Sequence, residues 1–100
     1  MSYDPGALDA ALAAAVGDDP ALVADLRYAF LESAQRQVDL LNRARCDANW
    51  QIAAWRLKGL AASFGVVGLM SLAEEAARSV PGDPGMLRKL KSAIAGFEIA

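Results

Sequence analysis

The chain offers few side chains able to do chemistry, and none of them is an imidazole: histidine is absent from its 100 residues. Without histidine the commonest transition-metal ligand and the usual general base near neutral pH are both missing. Glu74 and Glu75 are adjacent, and neighbours on a helix point about 100° apart, so they read as a solvated helix face and not as an acid/base pair. Asp4, Asp9 and Asp47 have no metal-ligand spacing, and Asp18-Asp19 reads as helix capping. Cys46 is the single cysteine and has no partner for a disulfide. The run Pro81-Gly82-Asp83-Pro84-Gly85 lacks the lysine and hydroxyl residue of a phosphate-binding loop. Arg88, Lys89 and Lys91 make a small basic cluster, expected as a solvated face near the negative end of the last helix. No metal, no cofactor and no catalytic residue is expected. What remains unusual is Trp55, followed by Lys58 and Gly59 and preceded by Gln51 and Ile52, in a stretch that otherwise reads as an amphipathic helix.

The elements that hold this stretch are legible from punctuation. Hydrophobic residues make up 55% of the chain, with alanine and leucine prominent, which favours helices over sheet. Residues 1–100 read as one domain, with no linker long enough to divide them. Asp4-Pro5-Gly6 opens a short first helix ending near Gly17. Asp18-Asp19-Pro20 caps a long second helix to about Arg45, with Leu22, Leu26, Phe30, Ala34, Val38 and Leu41 on one stripe and Arg27, Glu32, Gln35, Arg36 and Asp39 on the other side. A third helix, capped by Asp47 or Asn49, runs to Ser63 or Phe64 and stops at Gly65. A fourth covers Val67 to Ser79, and a fifth runs from Pro84 to about Ala95. Short loops between these segments predict an all-α fold, an antiparallel up-and-down bundle of four helices plus the short N-terminal one.

Net charge is −2, so no basic surface invites nucleic acid or anionic lipid. The start Met1-Ser2-Tyr3-Asp4 does not resemble a signal peptide, and the apolar run Ala10 to Val16 is too short to span a bilayer, so no membrane association and a cytoplasmic location are expected; the unpaired cysteine fits that setting.

On a helical wheel, Trp50, Ala53, Leu57, Leu60, Ala61 and Phe64 of the third helix share one side, the expected core stripe. Gln51, Trp55, Lys58, Gly59 and Ala62 lie opposite, with Ile52 and Ser63 beside them. Trp55 is almost diametrically opposed to Leu57 and Phe64. A mid-helix glycine costs about 1 kcal/mol relative to alanine, and one that points outward serves close approach from outside the bundle. Gly59 and Ala62 would then form a shallow floor beside the indole, with Lys58 at the rim: a docking patch. The competing reading has Trp55 lying flat on the second or first helix as an edge residue of the core.

Residues 47–79 resemble the signature of histidine-containing phosphotransfer (HPt) domains: a phospho-accepting histidine, then lysine three, glycine four, glycine ten and leucine fourteen residues on. Lys58, Gly59, Gly65 and Leu69 occupy those positions, and Trp55 stands where the histidine belongs. The resemblance implies a surface on the third helix for a response-regulator receiver domain or a histidine kinase component, with Lys58 to neutralise phosphoryl charge and Gly59 to admit the receiver's backbone. Trp55 removes the chemistry. An indole nitrogen only donates hydrogen bonds, its lone pair being part of the ring, so it cannot take a phosphoryl group. Ser63 has no base beside it.

The expectation is therefore a degenerate HPt-like protein of two-component signalling, not an enzyme, that binds a receiver or kinase component as an adaptor, decoy or inhibitor. Its partner-binding residues would be Gln51, Ile52, Trp55, Lys58, Gly59, Ala62 and Ser63. Two alternatives stay open: a self-associating structural module that dimerises through the Trp55 face, and a phosphotransfer protein whose histidine has been replaced. An indole buries roughly 150–250 Å², worth at most about 4–6 kcal/mol. Association alone costs about 4–15 kcal/mol, so Trp55 could anchor a patch but not hold a partner unaided.

Overall fold

Two aspartate-proline steps start two of the helices in the same way. In the computed structural model, which describes residues 5–17 and 19–99, Asp19 Oδ1 accepts from the backbone N–H groups of Ala21 (3.0 Å) and Leu22 (3.3 Å), and Pro20 begins the helix. Asp83 Oδ1 does the same for Gly85 (3.0 Å) and Met86 (3.3 Å), ahead of the helix that opens with Pro84. Each aspartate satisfies two of the four N–H groups that a helix start leaves unpaired, and each proline needs none. The five helices are α1 (Pro5–Val16), α2 (Pro20–Arg43), α3 (Asp47–Ser63), α4 (Val67–Ala77) and α5 (Pro84–Ile99), and the described residues contain no strand. Asp4 and Asp18, expected at two helix starts, lie outside the described residues.

Several boundaries depart from expectation. Helix α2 stops at Arg43 because Ala44 turns to extended backbone. Neither Asp47 nor Asn49 caps α3: Cys46 is the cap residue, without a side-chain hydrogen bond, and Asp47 is the first helical residue, its charge favourable near the helix N-terminus. Helix α4 ends at Ala77 instead of Ser79, and α5 continues past Ala95 to Ile99, which places Arg88, Lys89 and Lys91 in its first half and not near its negative end. Gly65 ends α3 as expected. With φ at 69° it lets its own N–H reach Ala62 O (3.1 Å) and Val66 N–H reach Ala61 O (2.9 Å), the paired bonds of a Schellman motif. Val66 is buried behind the turn.

Helix α2 packs on α3 and α5 and α4 packs on α3 and α5, while among the described residues the backbones of α2 and α4, and of α3 and α5, do not approach closely. Together with the short connections, this makes α2–α5 a closed antiparallel four-helix ring. Helix α1 lies across the α2–α5 edge. One apolar cluster fills the interior, including Leu8 and Leu12 of α1, Phe30, Ala34, Val38 and Leu41 of α2, Leu69 and Leu72 of α4, and Leu90 and Phe97 of α5. Phe30 is edge-on to Phe64 (5.1 Å between ring centres) and to Phe97 (6.4 Å), joining α2, the α3 turn and α5.

Two residues expected to be regular stripe members behave otherwise. Leu22 is exposed. At 1.5 Å per residue α2 is about 36 Å long and outruns its shorter neighbours, so its first turn lies beyond their cover. Arg27 is not on a solvated side. It is half-buried, faces Asp9 of α1 at 3.5 Å and donates to the backbone carbonyl of Phe97 in α5, so one guanidinium ties three helices together.

Candidate functional site

Helix α3 carries both tryptophans of the chain, and its amphipathic register sends them in opposite directions. Trp50 is completely buried, and its indole N–H donates to Ala76 O at 2.7 Å. That carbonyl belongs to the last turn of α4 and also accepts from Ser79 N–H at 2.9 Å, so Trp50 both fills the core and adds a second donor at the end of a neighbouring helix. Trp55 is 53% exposed. Ala53, Leu57 and Ala61 are buried with Trp50, as the wheel requires, while Leu60 and Phe64 are partly buried against the same cluster. Ala54, not expected in the stripe, is also buried.

All seven residues of the expected patch lie on the outward side of α3, though they do not form one uniform surface. Gln51, Ile52, Gly59, Ala62 and Ser63 are exposed and Lys58 is partly so. Trp55, Gln51 and Lys58 line a shallow cleft whose opposite wall is Glu74 and Ala77 of α4 and Arg78 just past its end. Ile52 leans the other way, into a groove against α2. Gly59 and Ala62 are exposed beyond both and line neither. A Cβ built on Gly59 would meet nothing within 4 Å, so no neighbouring helix requires the glycine. Ser63 Oγ donates to Gly59 O at 2.9 Å, a bond back to its own helix.

The electrostatics centre on Lys58. Its ammonium sits 4.7 Å from the centre of the Trp55 ring and 3.3 Å from Glu74 Oε1. The cation over the indole face is worth about 0.5–1 kcal/mol at such an exposed position. The ion pair spans two helices with both side chains partly solvated, so it contributes little stability and mainly orients the groups. The indole, the ammonium and the carboxylate thus hold one another, and the lysine charge is already answered within the chain. Glu75, one residue on, turns to the other side of α4 and pairs with Lys89 of α5 at 2.8 Å. Glu74 and Glu75 therefore part to different helices, as their 100° separation demands.

Glu74, Ala77 and Arg78 are the members of the cleft that sequence reasoning missed. The available signal was the i, i+4 spacing of Glu74 and Arg78 at the end of α4; what it lacked was the register of α4 against α3, which only packing supplies. Among the described residues that line it, the cleft holds no nucleophile and base in contact. Among the described residues no group of His, Cys, Asp and Glu could hold a metal ion, and no helix is long and apolar enough to cross a membrane. Comparison of the chain with protein-family models, with curated proteins and with solved structures finds no significant match.

Proposed function

We propose that this chain is a docking module of HPt-like design that recognises a response-regulator receiver domain, or a histidine kinase component, without accepting its phosphoryl group. It acts as an adaptor, decoy or inhibitor. The observation that carries the reading is the exposed indole of Trp55 at the middle of α3, on the outward side of a closed four-helix ring, with Lys58 and Gly59 at the spacing of the phosphotransfer signature. Three features support recognition by this face. The indole is oriented before binding by Lys58, which lowers the entropy that docking must overcome. Gly59 leaves an open surface one turn on, retained against helix propensity and without an internal packing reason. No histidine exists to carry phosphate.

The test is incubation of the native chain with phosphorylated receiver domains, measuring complex formation and label transfer together. The reading expects a complex and no label on this chain. Acid-stable or acid-labile phosphate acquired by the chain would contradict it. Light scattering over a concentration series separates it from self-association: a mass that doubles with concentration and falls back on Trp55→Ala would assign the same face to a second copy.

A further inference from the structure

Helix α3 separates two grooves, and the one away from Trp55 has its own chemistry. It is lined by Leu40 and Arg43 of α2, by Ala44 just after it, and by Asn49, Ile52, Ala53 and Arg56 of α3. Leu40 is 37% and Ile52 48% exposed, large apolar side chains facing each other across a trough whose floor is alanine. Small residues at the floor leave room for a ridge of side chains from another helix.

The charge around the trough is one-sided. Arg56 is exposed and makes no ion pair among the described residues. Among the described residues Arg43 pairs with Asp39 alone, four residues back on its own helix at 2.8 Å, an exposed pair that is weak and easily exchanged. Arg45 follows at once, its guanidinium held by the carbonyls of Asn42 (3.2 Å) and Ala44 (3.3 Å) and not by a carboxylate. The groove lining itself therefore carries two arginines, Arg43 and Arg56, and no carboxylate, with Arg45 near its α2 side and Asp39 and Asp47 outside it.

We propose that this groove docks an amphipathic helix of another protein, one that sets an apolar ridge between Leu40 and Ile52 and carries acidic residues toward Arg43 and Arg56. From Asn49 to Arg56 the groove runs about 10 Å along α3, two helical turns, which matches anchors spaced i and i+3 or i+4. The proposal stands apart from the receiver reading, because the groove and the Trp55 cleft lie on opposite flanks of α3.

The experiment is an NMR titration of the isotopically labelled chain with a synthetic helical peptide that has leucines at i, i+4 spacing flanked by glutamates. Parallel arms use the same peptide with lysines in place of the glutamates, and phosphatidylserine vesicles. Expected are amide shifts at Leu40, Asn49 and Ile52, no shift of the Trp55 indole N–H, and about a tenfold loss of affinity on Arg56→Glu, with Trp55→Ala without effect. Both substituted side chains are exposed, so the fold survives them. Absence of shifts at millimolar peptide, equal binding of the lysine peptide, indifference to Arg56→Glu, or occupation of these residues by vesicles and not by peptide would each overturn the proposal.

Discussion

The ammonium of Lys58 lies 4.7 Å from the centre of the Trp55 ring, one helical turn further along the same helix. Glu74 of the neighbouring helix holds that ammonium from the other side at 3.3 Å. The exposed indole is consequently a positioned group, fixed by a cation that is itself fixed by an acid 16 residues away in the chain. Lys58→Met breaks both links while keeping the aliphatic stem over the ring. Stability is expected to change by less than about 0.5 kcal/mol, since neither interaction is buried. Partner affinity is expected to fall, and the salt dependence of the ion pair to vanish, as read by urea denaturation and binding at two ionic strengths.

The two tryptophans provide an internal control. Trp50→Ala removes a wholly buried aromatic and its hydrogen bond to Ala76 O, and is expected to cost about 3–5 kcal/mol. Trp55→Ala removes a half-exposed side chain and is expected to cost less than about 1 kcal/mol. Chemical denaturation of the two variants side by side checks the difference. Equal losses would mean that Trp55 is a core residue.

Gly59 and Gly65 should respond to alanine with opposite signs. At Gly59 the new methyl meets nothing, so Gly59→Ala is expected to stabilise α3 by about 0.5–1 kcal/mol while roughening the surface that a partner must approach. At Gly65 the backbone has φ of 69°, and Gly65→Ala is expected to destabilise by about 1–2 kcal/mol. Thermal unfolding reads both. A variant at Gly59 that is more stable yet binds its partner more weakly would be direct evidence that the glycine serves recognition.

Arg27 gives the fold a local prediction. Its guanidinium is the polar link between α1, α2 and α5. Arg27→Ala is expected to cost about 1–3 kcal/mol, with the loss concentrated in α1, because the Phe97 carbonyl loses its charged donor and the facing Asp9 loses its cation. Hydrogen exchange should show α1 amides opening faster while those of α3 keep their protection.

The punctuation of the chain was readable because it is local. Asp19-Pro20, Asp83-Pro84 and Gly65 act through bonds spanning a few residues, and they mark helix ends as written. Ends without such punctuation moved: α5 ran on through Ala95 and Gly96, where nothing compels a stop, and α3 began behind Cys46 with no capping side chain. The outward face of α3 was legible because one helix has one period, and the burial of Trp50 and Leu57 against the exposure of Trp55 follows from it. What sequence could not supply was the far wall of the cleft, Glu74 and Arg78, or the role of Arg27, whose partners lie 18 and 70 residues away. Those contacts are decided by how helices meet, and no residue spacing encodes that directly.

The proposed role of the Trp55 face is that of a phosphorelay docking surface without its acceptor. It is tested most directly by restoring the acceptor. A panel of phosphorylated receiver domains is presented to the native chain and to Trp55→His, and both binding and acid-labile label are measured. The account predicts that a receiver retained by the native chain leaves it unlabelled and phosphorylates Trp55→His. Label on the native chain, or a Trp55→His variant that folds normally yet neither binds nor accepts phosphate from any receiver, would contradict it.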